Sequence, residues 1–160
     1  MFKDLPEGQT NSYMRLNIGC GRDYRKGWVN IDISEDTKAD HYLDIGIQPL
    51  PFKNETVEEI LISGVLEQIQ CNHNLLYAMN ECWRVLHLGG KITIVVPNAK
   101  YSIAHQDPMD IRKFIPATFS YFDKRTKQWQ LYGSVYGFKG WSKMGFVENE
   151  NHILTVTMTK

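Results

Sequence analysis

A glycine turn that directly follows a predicted strand constrains the fold of this chain most. Residues 14–18 read as a short strand and run into Gly19-Cys20-Gly21, and a second, β-branched segment alternates in polarity over residues 28–33. Glycines after the first strand of an α/β sheet let backbone N–H groups approach a ligand closely. Asp32 lies where the second strand ends and can accept both hydrogen bonds of a ribose diol. The sequence therefore predicts a nucleotide-type site at one edge of a sheet.

Five further segments predict the rest of the sheet. Strands are predicted at residues 58–63 and 91–96, where apolar side chains run almost without interruption, and a further strand is predicted at residues 41–45 on a less regular pattern. Residues 146–147 and 153–158 return to alternation, which predicts an antiparallel hairpin at the edge of the sheet. The fold class is therefore expected to be α/β, with a Rossmann-like, mostly parallel sheet.

One helix is predicted between the fourth and fifth strands. Apolar side chains recur at three- and four-residue spacing over residues 73–86. Asn72 or Asn74 is expected to cap its start, and Gly89-Gly90 to end it in the left-handed conformation. Strands of this kind interleaved with a helix indicate a sheet covered on both faces.

Composition is typical of a globular protein of one domain. The chain has 160 residues, 42% of them apolar, and its 18 basic side chains balance 18 acidic ones. Zero formal net charge removes the simplest argument for binding to nucleic acid or a membrane surface. No apolar run approaches the roughly 18–20 residues of a membrane span. The three cysteines are odd in number and lack CxxC spacing, so we expect reduced thiols in a cytoplasmic protein.

The glycine turn does not match the two common nucleotide motifs. The dinucleotide fingerprint needs a third glycine where this chain has Tyr24, and residues 19–28 are too few for the helix that faces a pyrophosphate. No GxxxxGK[ST] segment exists for a P-loop. A ligand poor in phosphate fits this turn better. A nucleotide-dependent oxidoreductase is therefore less well supported than the two functions considered below.

The composition changes near residue 100. Eleven of the nineteen aromatic residues lie between residues 101 and 146, among many lysines and arginines. No Gly/Ser/Pro linker separates the halves, so residues 1–160 are expected to form one domain. Two interpretations stay open. The aromatic side chains form the core of a small cap with a solvated basic rim, or they line an acceptor pocket suited to sugars, nucleotides or a nucleic-acid strand.

Three segments, in this order, resemble the class I S-adenosylmethionine (SAM)-dependent methyltransferases. They read LNIGCGRDYRKGWVNIDIS, YLDIGIQPLPFKNETVEEILISGVLEQI and ECWRVLHLGGKITIVVPN. The resemblance covers about residues 14–98 and is closest to small bacterial and phage-type members. A DP…R…F-x-P-x-TF element over residues 107–119 is similar to one that follows the fifth strand in those relatives. The resemblance implies a SAM-binding half at 14–98, a cap or acceptor region at 99–145, and C-terminal strands at 146–160.

The same resemblance implies a role for each residue along the predicted ligand edge. Asp32 would hold the ribose hydroxyls, and Ile33 would pack on the adenine. Asp44 and Ile45 would lie at the adenine edge, where the carboxylate can accept from the exocyclic amine. The methionine part would be lined by Gly19, Cys20 and Gly21 and by the backbone carbonyls of Ser63 and Gly64.

The chain departs from the family pattern in the segment where relatives carry candidate general bases. Relatives carry two histidines in an SHVLEH segment; this chain has Gly64 and Gln68 there and keeps Ser63 and Glu67. It also has Asn17 where many class I enzymes have an acid. The missing histidines keep open a second function, that of a catalytically degenerate SAM-binding or interaction protein of the same fold.

Five residues are candidates for the chemistry on the acceptor side. Methyl transfer from a sulfonium needs mainly in-line placement, and a base only for a hydroxyl or a protonated amine. Glu67 and His105 are the catalytic candidates; Tyr101, Asp107 and Arg112 are the candidates for acceptor binding. The structural alternatives are a surface or supporting carboxylate at Glu67 and a simple loop turn around Asp107. The five histidines share no metal-ligand spacing, so no metal is expected.

The sequence thus leads to one expected function. We expect a SAM-dependent methyltransferase that acts on a sugar or another small molecule and has no membrane partner. The neutral charge argues against a nucleic-acid acceptor, although aromatic and basic side chains alone would suit RNA. The sequence does not indicate an oligomeric state.

Overall fold

A computed structural model describes residues 13–160 and contains seven strands. The strands are β1 Met14–Ile18, β2 Val29–Asp32, β3 His41–Tyr42, β4 Val57–Ser63, β5 Leu86–Pro97, β6 Ser142–Glu148 and β7 Ile153–Thr159. They form one sheet in the order β3-β2-β1-β4-β5-β7-β6.

The sheet is parallel from β3 to β5 and antiparallel beyond it. β1 pairs with β2 and β4, and β4 pairs with β5, all in parallel register. β7 runs antiparallel to both β5 and β6. The predicted fold class, a mostly parallel sheet with an antiparallel C-terminal hairpin at its edge, is confirmed. The carboxyl ends of β1, β2, β4 and β5 meet at one edge of the sheet, which we call the carboxyl edge.

One face of the sheet forms the hydrophobic core. Aliphatic side chains face each other across β1, β4, β5 and β7, and each is at most 1% exposed. They form two rows, Leu16–Ile60–Ile92–Met158 and Ile18–Ile62–Ile94–Val156. Burying one such side chain stabilises the fold by roughly 1.5–3 kcal/mol relative to exposure. These rows hold the strands in register and so fix where the carboxyl edge lies.

The opposite face is less covered than the sequence predicts. Thr93 and Val95 of β5, and Thr155 and Thr157 of β7, are only half-buried. In residues 13–160 the one helix longer than six residues is α1, Asn72–Val85, and its buried side chains join the core on the first face. The expectation of cover on both faces is therefore wrong for this half of the sheet.

The predicted helix at residues 73–86 is confirmed apart from its ends. Its N-cap is Cys71, and no side chain caps it, so the prediction of Asn72 or Asn74 as the cap is wrong. The helix ends at Val85, because Leu86 turns extended and pairs with Val57. Gly89-Gly90 therefore does not end the helix but lies inside β5.

The predicted strands are present, and their lengths differ. The second strand is shorter than residues 28–33, and the third has two residues instead of 41–45. The fifth starts five residues before the predicted 91, and both hairpin strands are longer than predicted. The last backbone bond from this segment to β2 runs from the Leu43 N–H to Asp32 O. The next N–H, that of Asp44, bonds to the Gln48 side chain instead, so β3 does not continue.

Residues 99–141 cross from β5 to β6 through short helical turns. These are Ser102–His105, Pro116–Tyr121, Trp129–Gly133 and Ser134–Tyr136, the last of them α2. Four aromatic side chains of this region belong to the core: Phe114, Phe119, Phe122 and Trp141. The cap interpretation therefore holds for these four. None of the helices within residues 13–160 is long and apolar enough to cross a membrane.

Candidate cofactor site

The glycine turn after β1 is closed on one side and open on the other. Gly19 has a φ of +72°, and a Cβ there would lie 2.2 Å from Val65 Cγ2 and 3.0 Å from Ser63 O. Only glycine fits that position. Gly21 has a φ of +48°, and a Cβ built on it meets no atom within 4 Å. The turn therefore packs against β4 at its start and faces open space two residues later.

Asp32 closes this turn from the end of β2. Its Oδ2 accepts a hydrogen bond from the Gly21 N–H at 2.8 Å, and its Oδ1 accepts one from the Ser34 N–H at 2.9 Å. The carboxylate is half-buried. An ionised carboxylate offers about four lone-pair positions, so two remain for further donors. Asp32 is thus held by backbone groups and can still accept from two hydroxyl groups.

A buried asparagine pair, which the sequence analysis did not identify, holds the turn in place. Asn17 is 1% exposed, and its Nδ2 donates to Asp23 O at 2.7 Å and to Asn30 Oδ1 at 3.0 Å. Asn30 Oδ1 also accepts from the Arg25 N–H, and its Nδ2 donates to Arg25 O and Trp28 O. These bonds satisfy the backbone of a connection too short for a helix. Asn17, which by resemblance takes the place of an acid found in many class I enzymes, is here a structural donor.

The adenine side of the predicted site consists of residues after β2 and β3. Ile33 is 68% exposed beside Asp32 and offers an apolar surface. Asp44 is half-buried, and its Oδ1 accepts from the Gly46 N–H at 2.8 Å. Ile45 is buried in the core, so only its backbone can face a ligand. All three residues follow the carboxyl ends of the neighbouring strands β2 and β3. This placement agrees with the expectation that they lie at one end of a bound nucleoside.

Cys20 and the β4 terminus complete the site around the turn. Cys20 is buried; burial, and then the charge of Asp32, raise the pKa of its thiol, which keeps it protonated. Ser63 presents its backbone carbonyl to the glycine turn. Gly64 has a φ of +67°, and a Cβ there would meet nothing within 4 Å. Gly21 in the turn after β1 and Gly64 directly after β4 therefore both face open space.

Glu67 is a buried carboxylate in the 3₁₀ turn Leu66–Gln68. It is 4% exposed, and its Oε2 has no hydrogen-bond partner. Burial, and then the charges of Asp110 and Asp107, raise the pKa of Glu67 to about 7. The interpretation of Glu67 as a surface carboxylate is wrong, and a carboxyl group with such a pKa can exchange protons near neutrality.

The remaining predicted residues are distributed over the segment after β5. His105 is exposed, and its Nε2 lies 3.3 Å from Ala99 O. Asp107 is exposed and caps a turn by accepting from the Met109 N–H. Arg112 donates to backbone carbonyls after β4, those of Ile69 and Gln70. Its guanidinium is thus engaged within the protein, which favours a positioning role over direct acceptor binding.

Tyr101 belongs to a cluster that the sequence analysis did not identify. Its ring stacks on His152, with centroids 3.6 Å apart and planes 5° apart. His152 Nδ1 lies 3.1 Å from Glu148 Oε1, and Glu148 Oε2 accepts from Asn98 Nδ2 at 3.0 Å. The hairpin of β6 and β7 therefore brings these groups to the end of β5. No local sequence signal could have indicated this contact, because it depends on how β7 pairs with β5.

A separate groove of about 940 Å³ follows the outer side of α1. Tyr77, Trp83 and Lys139 are among its lining residues. None of the predicted site residues lines it. The groove is therefore distinct from the carboxyl edge, where the glycines and Asp32 lie.

Comparisons with known proteins give a consistent result for the fold. No family model and no curated protein matches the sequence. A SAM-dependent methyltransferase structure from Archaeoglobus fulgidus is 17% identical with a TM-score of 0.65, covering 94% of this chain and 87% of that one. A SAM-dependent methyltransferase from Thermotoga maritima, described as a possible histamine N-methyltransferase, is 14% identical with a TM-score of 0.60, covering 98% and 84%. The chain has the class I methyltransferase fold.

A third similar structure, that of a methyltransferase, contains a bound ligand. The methyltransferase CalH, solved as a complex with SAH, is 18% identical with a TM-score of 0.56 and covers 92% of this chain and 51% of that one. Identities this low establish the fold of this chain and not its activity.

The residues present in this methyltransferase fold suit SAM and its product SAH, S-adenosylhomocysteine. The carboxylate of Asp32 has acceptor positions for a ribose diol, and Ile33 exposes an apolar surface beside it. A Cβ built on Gly21 or Gly64 would meet no atom within 4 Å, so both glycines leave open space at the carboxyl edge. These features fit such a ligand and do not depend on the comparisons.

Proposed function

We propose that this protein is a SAM-dependent methyltransferase that acts on a small-molecule acceptor. One observation carries the proposal. Asp32, held by the Gly21 N–H at the carboxyl edge, keeps acceptor positions free beside glycines that face open space. A site for a nucleoside that carries no phosphate needs these features, and a methyltransferase fold supplies them.

SAM, when bound, supplies an electrophilic methyl group on a sulfonium. Asp32 holds the ribose, Ile33 packs on the adenine, and Asp44 and the Ile45 backbone face its edge. The methionine part lies along Gly19, Cys20 and Gly21 and against the carbonyls of Ser63 and Gly64. These roles are proposals that rest on the placement of each residue near the ends of β1 to β4.

The acceptor side is proposed to lie between the end of β4 and the segment after β5. Glu67 and His105 are the catalytic candidates, and Tyr101 and Asp107 contact the acceptor. Arg112 positions the loop after β4 through its bonds to Ile69 O and Gln70 O. Proton removal by a group such as Glu67 is required only for a hydroxyl or ammonium acceptor.

The compartment proposed for this enzyme is the cytoplasm. Cys20, Cys71 and Cys82 are all free thiols, and a reducing compartment keeps thiols in that state.

Calorimetric titration with SAM and SAH tests the proposal. We expect both to bind with micromolar affinity at one site. Failure of both to bind at millimolar concentration would contradict it. Binding without methyl transfer from labelled SAM to any of a broad set of small acceptors would favour the degenerate SAM-binding protein instead.

A further inference from the structure

The seam between the turn after β4 and the segment 107–113 carries unbalanced negative charge. The Arg112 N–H donates to Glu67 O at 2.8 Å, and Gln68 Nε2 donates to Asp110 Oδ1 at 3.3 Å. These bonds bring two acidic stretches together. Glu67 and Asp110 are buried, at 4% and 9% exposure, while Asp107 is exposed.

The cations of the same segment do not neutralise these carboxylates. Arg112 donates to the carbonyls of Ile69 and Gln70 and to Asn72 Oδ1. Lys113 Nζ donates to the carbonyls of Ala104 and Asp110. Of the ion pairs found within residues 13–160, none includes a carboxylate of this seam. Three acidic side chains therefore share one seam. Neither Arg112 nor Lys113 forms an ion pair with them, although Lys113 Nζ donates to the backbone carbonyl of Asp110 within the seam.

The side chain of Glu67 has a buried oxygen atom without a partner. Its Oε2 is buried without any hydrogen-bond partner, which is costly for a group that can accept two bonds. Asp110 and Asp107 are close enough for their charges to raise the pKa of Glu67 further. A ligand that donates hydrogen bonds and carries positive charge would satisfy both the orphaned oxygen and the unbalanced charge.

We propose that the acceptor is an organic ammonium ion, held at this seam by Glu67 with Asp110 and Asp107. This inference rests on the proposed methyltransferase function and narrows its acceptor from small molecules in general to amines. An ammonium group has three N–H donors, which match several carboxylate oxygens at once. A sugar hydroxyl, in contrast, would leave the negative charge of the seam uncompensated.

Glu67 has a second role in this arrangement. An ammonium nitrogen has no lone pair and must lose a proton before it can act as a nucleophile. The Glu67 carboxylate accepts that proton and becomes the neutral carboxylic acid, and the ammonium becomes the neutral amine. The exposed Asp107 and the buried Asp110 keep the site attractive to the next cation.

Three probes of matched size test the charge preference. The full chain, first saturated with SAH, is titrated by calorimetry with benzylamine, benzyl alcohol and benzoate. They are a cation, a neutral molecule and an anion at neutral pH. We expect benzylamine to bind at least about tenfold more tightly than benzyl alcohol, and benzoate to bind most weakly.

Three variants test which side chains cause the preference for benzylamine. Glu67→Gln should abolish the advantage of benzylamine over benzyl alcohol. Asp107→Asn changes an exposed side chain that does not threaten folding, and it should weaken benzylamine binding by a smaller factor. Glu59→Gln is the matched control, because Glu59 lies near the opposite end of β4, in register with Arg15; it should leave all three affinities unchanged.

Two kinds of failure are distinguishable in this design. Absence of SAH binding in the first titration would overturn the proposed function and this inference with it. SAH binding with equal affinities for amine and alcohol, tighter binding of benzoate, or no binding of any probe at millimolar concentration would overturn the amine inference alone. A benzylamine preference that survives Glu67→Gln would also overturn it.

Discussion

Gly21 donates its backbone N–H to Asp32 Oδ2 at 2.8 Å, so the turn after β1 and the end of β2 form one unit. The second oxygen of Asp32 is fixed in the same way by the Ser34 N–H. Both bonds come from the backbone of the chain itself, so they fix the orientation of the carboxylate. A carboxylate held in this way lowers the cost of binding a ligand.

Replacing Asp32 tests its role toward the ribose. In Asp32→Ala, the diol loses both acceptors; in Asp32→Asn, one oxygen remains but the charge is gone. A hydrogen bond to a charged group contributes about 1.5–3 kcal/mol, so we expect SAH affinity to fall by tenfold or more in each variant. Calorimetry measures this, and circular dichroism checks that the variants stay folded. Unchanged SAH affinity in a folded Asp32→Ala variant would remove Asp32 from the site.

Two glycine-to-alanine variants distinguish an effect on SAH binding from an effect of backbone strain on stability. Gly64 and Gly89 both have positive φ, +67° and +85°, and both have open space where a Cβ would go. Alanine in that conformation costs roughly 1–2 kcal/mol. We expect Gly64→Ala and Gly89→Ala to lower the free energy of unfolding by similar amounts, as measured in urea.

The two variants should differ in ligand binding. Gly64 lies at the carboxyl edge, whereas Gly89 lies near the start of β5, away from that edge. SAH affinity should fall at least about tenfold in Gly64→Ala and stay unchanged in Gly89→Ala. Equal SAH affinities in both variants would show that Gly64 does not face the cofactor.

Placing an acid at position 17 should destabilise this protein. Asn17 Nδ2 donates to Asp23 O and Asn30 Oδ1, and an ionised carboxylate cannot donate to either. Leaving buried groups unsatisfied costs about 1–3 kcal/mol, and a buried charge costs more. Asn17→Asp should therefore unfold at lower urea concentration than Asn17→Ala at pH 7. An Asn17→Asp variant as stable as the wild type would contradict the structural role of this pair.

The pKa of Glu67 predicts how stability depends on pH. It rises from the ordinary value of 4.5 to about 7 on folding, so between these values the folded chain binds a proton that the unfolded chain does not. The free energy of unfolding therefore falls as pH rises through this range, by up to about 3 kcal/mol.

Glu67→Gln isolates this contribution from other titrating groups. The variant has no proton to exchange at position 67, so the stability difference between wild type and variant should change between pH 4.5 and 7 and stay constant above it. Urea unfolding at several pH values measures both curves. Parallel curves over the whole range would show that the pKa of Glu67 is not raised.

Sequence reasoning predicted the features that depend on local patterns. Apolar runs located β4 and β5, and alternating polarity located β2 and the two hairpin strands, because these patterns follow from how a strand is buried. Glycines and an acid at strand ends predicted the turn at Gly21 and its neighbour Asp32. Strand ends were less accurate. Leu86 fits the helical spacing and is buried, but it is buried in β5, and periodicity alone cannot separate these cases.

Features that depend on distant contacts could not be predicted. Asn17 and Asn30 are thirteen residues apart and meet only because β1 and β2 pair in parallel. Glu67 meets the distant segment 107–112 through the bond from the Arg112 N–H to its carbonyl, and Tyr101 meets His152 through the pairing of β5 with β7. Each of these contacts follows from tertiary packing and has no signal within a single segment.

Hydrogen exchange with and without saturating SAH tests whether SAM binds at the carboxyl edge. We expect slower amide exchange in the turn at residues 19–24, in the segments after β2 and β3, and at residues 63–68 after β4. The groove along α1 should be unaffected. Protection along that groove instead, or no protection anywhere with SAH at millimolar concentration, would contradict a SAM site at the carboxyl edge.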